Sequence, residues 1–139
     1  MYIDEIVVGQ SATLERVVTQ EVINSFADAS GDHNPVHVDP AFAAGTMFKT
    51  TIAHGMLSAA YISAVLGTQL PGPGAIYMAQ SLKFRAPVRP GDKVLTTCTV
   101  KEIVAEKKRV VLDTVCKVGD TVVLEGEATM LVQPKPKQA

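Results

Sequence analysis

The segment "IAHGMLSAAYISAVLGTQL", running from Ile52 to Leu70, constrains this chain more than any other. From Gly55 to Leu66 it is apolar almost all round at helical spacing and carries no charge. A helix with so little polar face has to be buried on nearly every side. "PGPG", Pro71 to Gly74, ends it. Downstream the period changes. "AIYMAQSLKF", "KVLTTCTVKEIVA", "KRVVLDTVCKV" and "TVVLEGEATMLV" are rich in β-branched residues with partial alternation, which predicts strands. "RPGD" links the first two, "EK" around Glu106 the next pair, and Gly119–Asp120 the last. Connections this short join antiparallel neighbours. One buried helix followed by an antiparallel meander gives an α+β layer arrangement in which the sheet curls round the helix. Such a sheet leaves edges exposed, so pairing with a second copy of the chain is expected.

Upstream, Thr13 to Val18 reads as a short strand. Thr19 is an N-cap for "QEVINSFADAS", whose Val22, Ile23, Phe26 and Ala27 recur at helical spacing, and Gly31 stops it. Pro35 and Pro40 bracket a loop, with a helical turn in "PAFAAG". The 139 residues fit one domain over 1–133, followed by a polar flexible tail, "PKPKQA", over 134–139.

With a net charge of −1, nothing suggests capture by nucleic acid or an anionic membrane. The apolar stretches are too short and interrupted to span a bilayer, and "MYIDEIVVGQ" lacks the basic flank and cleavage pattern of a signal peptide. Cys98 and Cys116 sit inside strand-like runs without zinc or CxxC spacing, which predicts buried free thiols and a cytoplasmic home.

The densest polar chemistry lies in "GDHNPVH", Gly31 to His37. The plainest reading is a turn whose Asp and Asn make local hydrogen bonds. A metal reading would pair His33 with His37, four apart, but Pro35 disfavours helix at Asn34 and no further ligand pattern lies nearby. A third reading takes Asp32 and His37 as acid/base groups brought together by the chain reversal. "AHGM" adds to the third. Gly55 leaves room for a substrate at a helix start, where unpaired N–H groups suit a developing oxyanion. His54 beside it reads as a structural hydrogen-bonder.

These stretches resemble the MaoC-like, (R)-specific enoyl-CoA hydratase (hydratase 2) family. The resemblance is carried by "ADASGDHNPVHVDPAFA" (27–43), "IAHGMLSAAYIS" and "YMAQSLKFRAPVRPGD". It covers nearly the whole chain in order, and comes nearest to the small single-domain hydratases that feed polyhydroxyalkanoate synthesis. It implies a hot-dog fold, an antiparallel sheet wrapped round a central helix. It implies a homodimer that adds water to trans-2-enoyl-CoA to give (R)-3-hydroxyacyl-CoA, with no metal and no cofactor beyond the CoA of the substrate. By position in the motif, Asp32 and His37 would be the catalytic pair and Asn34 would brace their loop. The Gly55 N–H would bind the thioester oxygen, and Ser63 would support the site unless it only packs helix against sheet. Within the same fold, a 3-hydroxyacyl-ACP dehydratase would use the same loop in the reverse direction. A non-catalytic acyl-thioester binder is the alternative from another class. Leu66, Tyr77 and Met78 are candidates for an acyl tunnel, and Lys83, Arg85, Arg89, Lys107, Lys108 and Arg109 for the CoA phosphates.

Overall fold

The computed structural model describes residues 1–137. Its elements are β1 (Ser11–Val17), α1 (Gln20–Ser30), α2 (Pro35–Val38), α3 (Pro40–Ala44), α4 (Gly55–Thr68), β2 (Ile76–Gln80), β3 (Lys83–Phe84), β4 (Lys93–Val104), β5 (Arg109–Val118) and β6 (Thr121–Leu131). The six strands form one antiparallel sheet in the order β1-β4-β5-β6-β2, with the two-residue β3 also on β6. This is the hot-dog arrangement that the resemblance implies, with α4 packed across one face of the sheet, mainly on β4.

Alternation does the sorting. Val94, Thr96, Cys98 and Val100 of β4 and Val110, Leu112, Thr114 and Cys116 of β5 are all buried, while their neighbours in sequence are wetter. They meet Leu57, Ile62, Val65 and Leu66 of α4 in one core, which Ile23 of α1 and Leu124 and Met130 of β6 complete. Fully burying one such side chain contributes roughly 1.5–3 kcal/mol.

Local signals hold at α1. Thr19 Oγ1 accepts from the Val22 N–H at 3.1 Å, and Gly31 closes the helix at φ 83°, a left-handed conformation that favours glycine.

Three expectations change. "RPGD" does not join neighbours. The strand before it splits into β2 and β3, both on β6, whereas β4 lies between β1 and β5. Turn chemistry specified the reversal but not the partner. Pro35 starts a helix instead of only breaking one, because its missing N–H is one the first turn would leave unpaired, and Asn34 Oδ1 caps the Val36 N–H at 3.2 Å. Finally, α4 is not covered all round in one copy of the chain. Met56, Ala60, Ser63 and Gly67 form an uncovered stripe beside β2, where Ile76, Tyr77 and Met78 are also exposed.

Residues 134–137 carry no helix or strand, although the Lys135 N–H donates to Asp4 Oδ2 at 2.7 Å. The last two residues of the expected tail lie outside the described residues. Among the described residues, no helix is long and apolar enough to cross a membrane.

Candidate active site

Three segments meet at the N-terminal end of α4: the 31–38 turn, the 50–54 approach to the helix, and β3. Local bonds shape the turn, and long-range hydrogen bonds fasten it to the approach segment and to α1. The turn is built by its own side chains. Asp32 Oδ1 accepts from the Asn34 N–H at 3.2 Å, Ser30 Oγ accepts from the Asp32 N–H at 3.1 Å, and Asn34 begins α2. That helix carries His37 inward, where its Nδ1–H donates to the Ile52 carbonyl at 2.8 Å. A carbonyl only accepts, so the neutral ring keeps its lone pair on Nε2.

Gln20 fastens the two segments to α1. Its Nε2 donates to the His37 carbonyl at 2.9 Å, and its Oε1 accepts from Thr51 Oγ1 at 2.7 Å. The Ile52 N–H closes the arrangement on the Val36 carbonyl at 3.2 Å. Donor atoms of Asp32, His37 and His54 all lie within 4.8 Å of one another, with Asp32 exposed, His37 half-buried and His54 buried.

A cavity of about 540 Å³ opens beside them, lined by His37, Phe48, His54, Gly55, Phe84 and Val88 among others. Gly55 is the first residue of α4, so its N–H has no carbonyl one turn back to bond. It also lies so close to Phe84 that a Cβ there would sit 2.4 Å from Phe84 Cε1. The glycine lets the Phe84 ring stand against the helix start at the cavity wall, and a Cβ there would push the ring aside.

The MaoC like domain family matches residues 6–126 of this chain. The chain belongs to the MaoC-like family. It is 57% identical over 131 residues to a Rhodospirillum rubrum protein named (R)-specific enoyl-CoA hydratase, covering 94% of this chain and 91% of that one. To the 3-hydroxybutyryl-CoA dehydratase of Methylorubrum extorquens it is 48% identical over 139 residues, covering 100% of this chain and 88% of that one. The unliganded R-hydratase of Pseudomonas aeruginosa has a TM-score of 0.91 at 41% identity, over 99% of this chain and 91% of that one.

In this MaoC-like chain His37 and Gly55 line the cavity, Asp32 lies near His37 without lining the cavity, and Ser63 stands apart from them. It lies two turns along α4, on the uncovered stripe, and lines a second groove with Ala59, Tyr77, Met78 and Gln80. Met56 borders both spaces. Of the tunnel candidates, Leu66 is instead buried in the core, while Arg85, the phosphate candidate on the cavity wall, is paired with Glu125 at 2.6 Å.

His33 is turned toward α1. Its Nε2 meets Asp28 Oδ1 at 2.9 Å, and that bond raises its pKa above the usual histidine value. The metal pair considered from spacing, His33 with His37, is therefore not assembled. The trio of Asp32, His37 and His54 has the donor types of a metal site, but the two imidazoles stack at 3.8 Å with planes 28° apart. In-plane lone pairs of stacked rings run side by side instead of converging on one ion.

Gln20, Thr51, Ile52 and Phe84 were not singled out from sequence. Their parts are long-range hydrogen bonds and one close contact, and no local pattern announces either.

Proposed function

We propose that this chain hydrates trans-2-enoyl-CoA thioesters to (R)-3-hydroxyacyl-CoA, as a hydro-lyase using no cofactor beyond the CoA of its substrate. The observation that carries the reading is the hydrogen bond of His37. Nδ1–H is spent on the Ile52 carbonyl, which leaves Nε2 as the free nitrogen of a ring that has a nitrogen within 4.8 Å of an Asp32 carboxylate oxygen. One water between them can donate a hydrogen to each, leaving an oxygen lone pair for the β-carbon. As the C–O bond forms, one of the two groups takes the water proton and the α-carbon receives a proton from the pair. Charge gathers meanwhile on the thioester oxygen, where the Gly55 N–H at the start of α4 would receive it. Losing such a donor typically costs about 3–4 kcal/mol of transition-state stabilisation. Asn34 braces the turn, its backbone N–H donating to Asp32 Oδ1 and its own Oδ1 accepting from the Val36 N–H.

The working form in this reading is a homodimer. β2 is an edge strand with exposed Ile76, Tyr77 and Met78, and it borders the uncovered stripe of α4. A second copy set against this face would extend the sheet and roof the groove that Ser63 lines, giving a tunnel shared by two chains. Buried free Cys98 and Cys116 suit a reducing compartment such as the cytoplasm.

The test is crotonyl-CoA hydration in D₂O, with the product coupled to (R)- and (S)-specific dehydrogenases. One rigid turn that delivers hydroxyl and returns the proton adds both to the same face. The expected result is (R) product by syn addition. An (S) product refutes the assignment, and anti addition refutes the shared-turn mechanism. Activity on acyl-ACP alone, with none on CoA thioesters, would instead identify a dehydratase of fatty-acid synthesis.

A further inference from the structure

His54 occupies the N-cap position of α4 but makes no capping bond to its own helix. The side chain is committed elsewhere. Its Nε2–H donates to the backbone carbonyl of Asp32 at 2.9 Å, and its ring stacks on His37 with centroids 3.8 Å apart. On another side it meets Phe26 of α1, ring centroids 4.9 Å apart. It is only 3% exposed.

The bond to Asp32 has no substitute. The remaining hydrogen bonds of residues 31–34 among the described residues are local, to Ala27, Asp28, Ser30, Val36, His37 or one another. His54 alone ties that exposed stretch to a distant part of the chain. Two residues earlier, the Ile52 carbonyl holds the His37 ring. One short segment, Ile52 to His54, therefore holds both Asp32 and His37, and the stacked rings join the two attachments.

A phenylalanine would fill the same space and avoid leaving a buried acceptor unpaired, as Nδ1 is here. What it would lack is the donor. We propose that His54 is a positioning residue, holding the Asp32 carbonyl and the His37 ring at the mutual distance that one shared water requires. The inference rests on the reading of Asp32 and His37 given above.

The experiment compares four variants of the full chain on crotonyl-CoA: His54→Phe, His54→Gln, Asp32→Asn and His37→Gln. Phenylalanine keeps a ring to stack and loses the donor, while glutamine keeps an amide donor and loses the ring. Freed of its tie, the turn misplaces Asp32, and misplacement by about 1 Å costs on the order of 10²-fold. His54→Phe is expected to lower kcat by about that factor while KM moves less than about threefold, since the thioester contacts remain. His54→Gln should recover about tenfold of the loss, with the midpoints of its kcat/KM pH profile unmoved because Asp32 and His37 are still the titrating groups.

Wild-type kcat in His54→Phe overturns the proposal, as does equal impairment of the two His54 variants. A pH limb lost in His54→Gln also overturns it, because His54 would then exchange a proton itself. If His54→Phe fails to fold, His54→Gln decides alone: kcat within about tenfold of wild type supports the brace, and kcat as low as in Asp32→Asn overturns it. The underlying reading fails separately. It falls if Asp32→Asn or His37→Gln keeps wild-type activity, whereas inactivity of both beside a fully active His54→Phe removes only the brace.

Discussion

Replacing Gly55 by alanine would put a Cβ 2.4 Å from Phe84 Cε1, 2.5 Å from Cδ1 and 3.3 Å from Cζ. Carbon atoms prefer about 3.5–4.0 Å, so the ring has to move by more than about 1 Å. It has room to do so. Phe84 is 55% exposed and sits on a strand of two residues. Forcing it off its rotamer costs roughly 0.5–1.5 kcal/mol, and alanine in place of glycine returns up to about 1 kcal/mol of helix propensity. Net stability should therefore change by less than about 1 kcal/mol, a Tm shift of a few degrees at most. Activity should respond differently. The displaced ring is a wall of the cavity at the helix start, and a misplacement of about 1 Å at a reacting group costs on the order of 10²-fold, equal to about 2.7 kcal/mol. The backbone N–H is retained, so crowding alone is tested. The assay is loss of enoyl-thioester absorbance with crotonyl-CoA, run beside Phe84→Ala and the double variant. In the double variant the clash is gone, and kcat/KM should return to that of Phe84→Ala alone. Unchanged kcat/KM in Gly55→Ala would refute the reasoning, as would a double variant no better than Gly55→Ala.

Gln20→Leu removes the side chain fastening His37 and Thr51 to α1, and leaves the buried Thr51 hydroxyl without its acceptor. It should cost about 1–3 kcal/mol in denaturant unfolding and lower kcat more than it raises KM. Burial pushes the Cys98 thiol up from 9.0 to about 12 and raises that of Cys116 as well, so a thiol reagent should find neither in the folded protein and both in denaturant. An unfolded thiol ionises near pH 9 while the folded one holds its proton, so this contribution is intact below pH 9 and is lost as pH rises toward about 12. Urea midpoints should fall over that window, and the fall should shrink in Cys98→Ala. Met78→Glu puts a charge at the centre of the exposed β2 face, and sedimentation should show monomer with much reduced activity; a fully active monomer would remove the shared tunnel.

Much of the fold was legible because burial and period coincide in the strands. Alternating β-branched residues located β4, β5 and β6 within a residue or two, and Thr19 with Gly31 bounded α1. What could not be read was pairing across distance. β1 lies on β4, Ser11 opposite Thr99, and β2 returns to the far edge of the sheet on β6, so the strand order is not the chain order. The turn at 31–37 was legible for another reason: its bonds run between residues two or three apart, so Asp32, Asn34 and Pro35 announce their roles in situ. Gln20 and Thr51 bond across 31 positions, and neither type is unusual enough to point at the other.

The central helix shows why hydropathy alone misjudged what surrounds it. Apolar residues on both faces hide the boundary between the buried and the uncovered side. Side-chain volume reveals it. Leu57, Ile62, Val65 and Leu66 face the sheet, whereas the uncovered stripe carries Ala60, Ser63 and Gly67 after Met56. Bulk fills the core within one chain, and small residues keep the other face flat enough for a second surface to come close. That face continues into the exposed Ile76, Tyr77 and Met78 of an edge strand, a broad apolar area that a solitary soluble domain seldom leaves in water. In the proposed homodimer a second copy would supply the missing wall, and the expectation that α4 is buried on nearly every side would then hold for the pair.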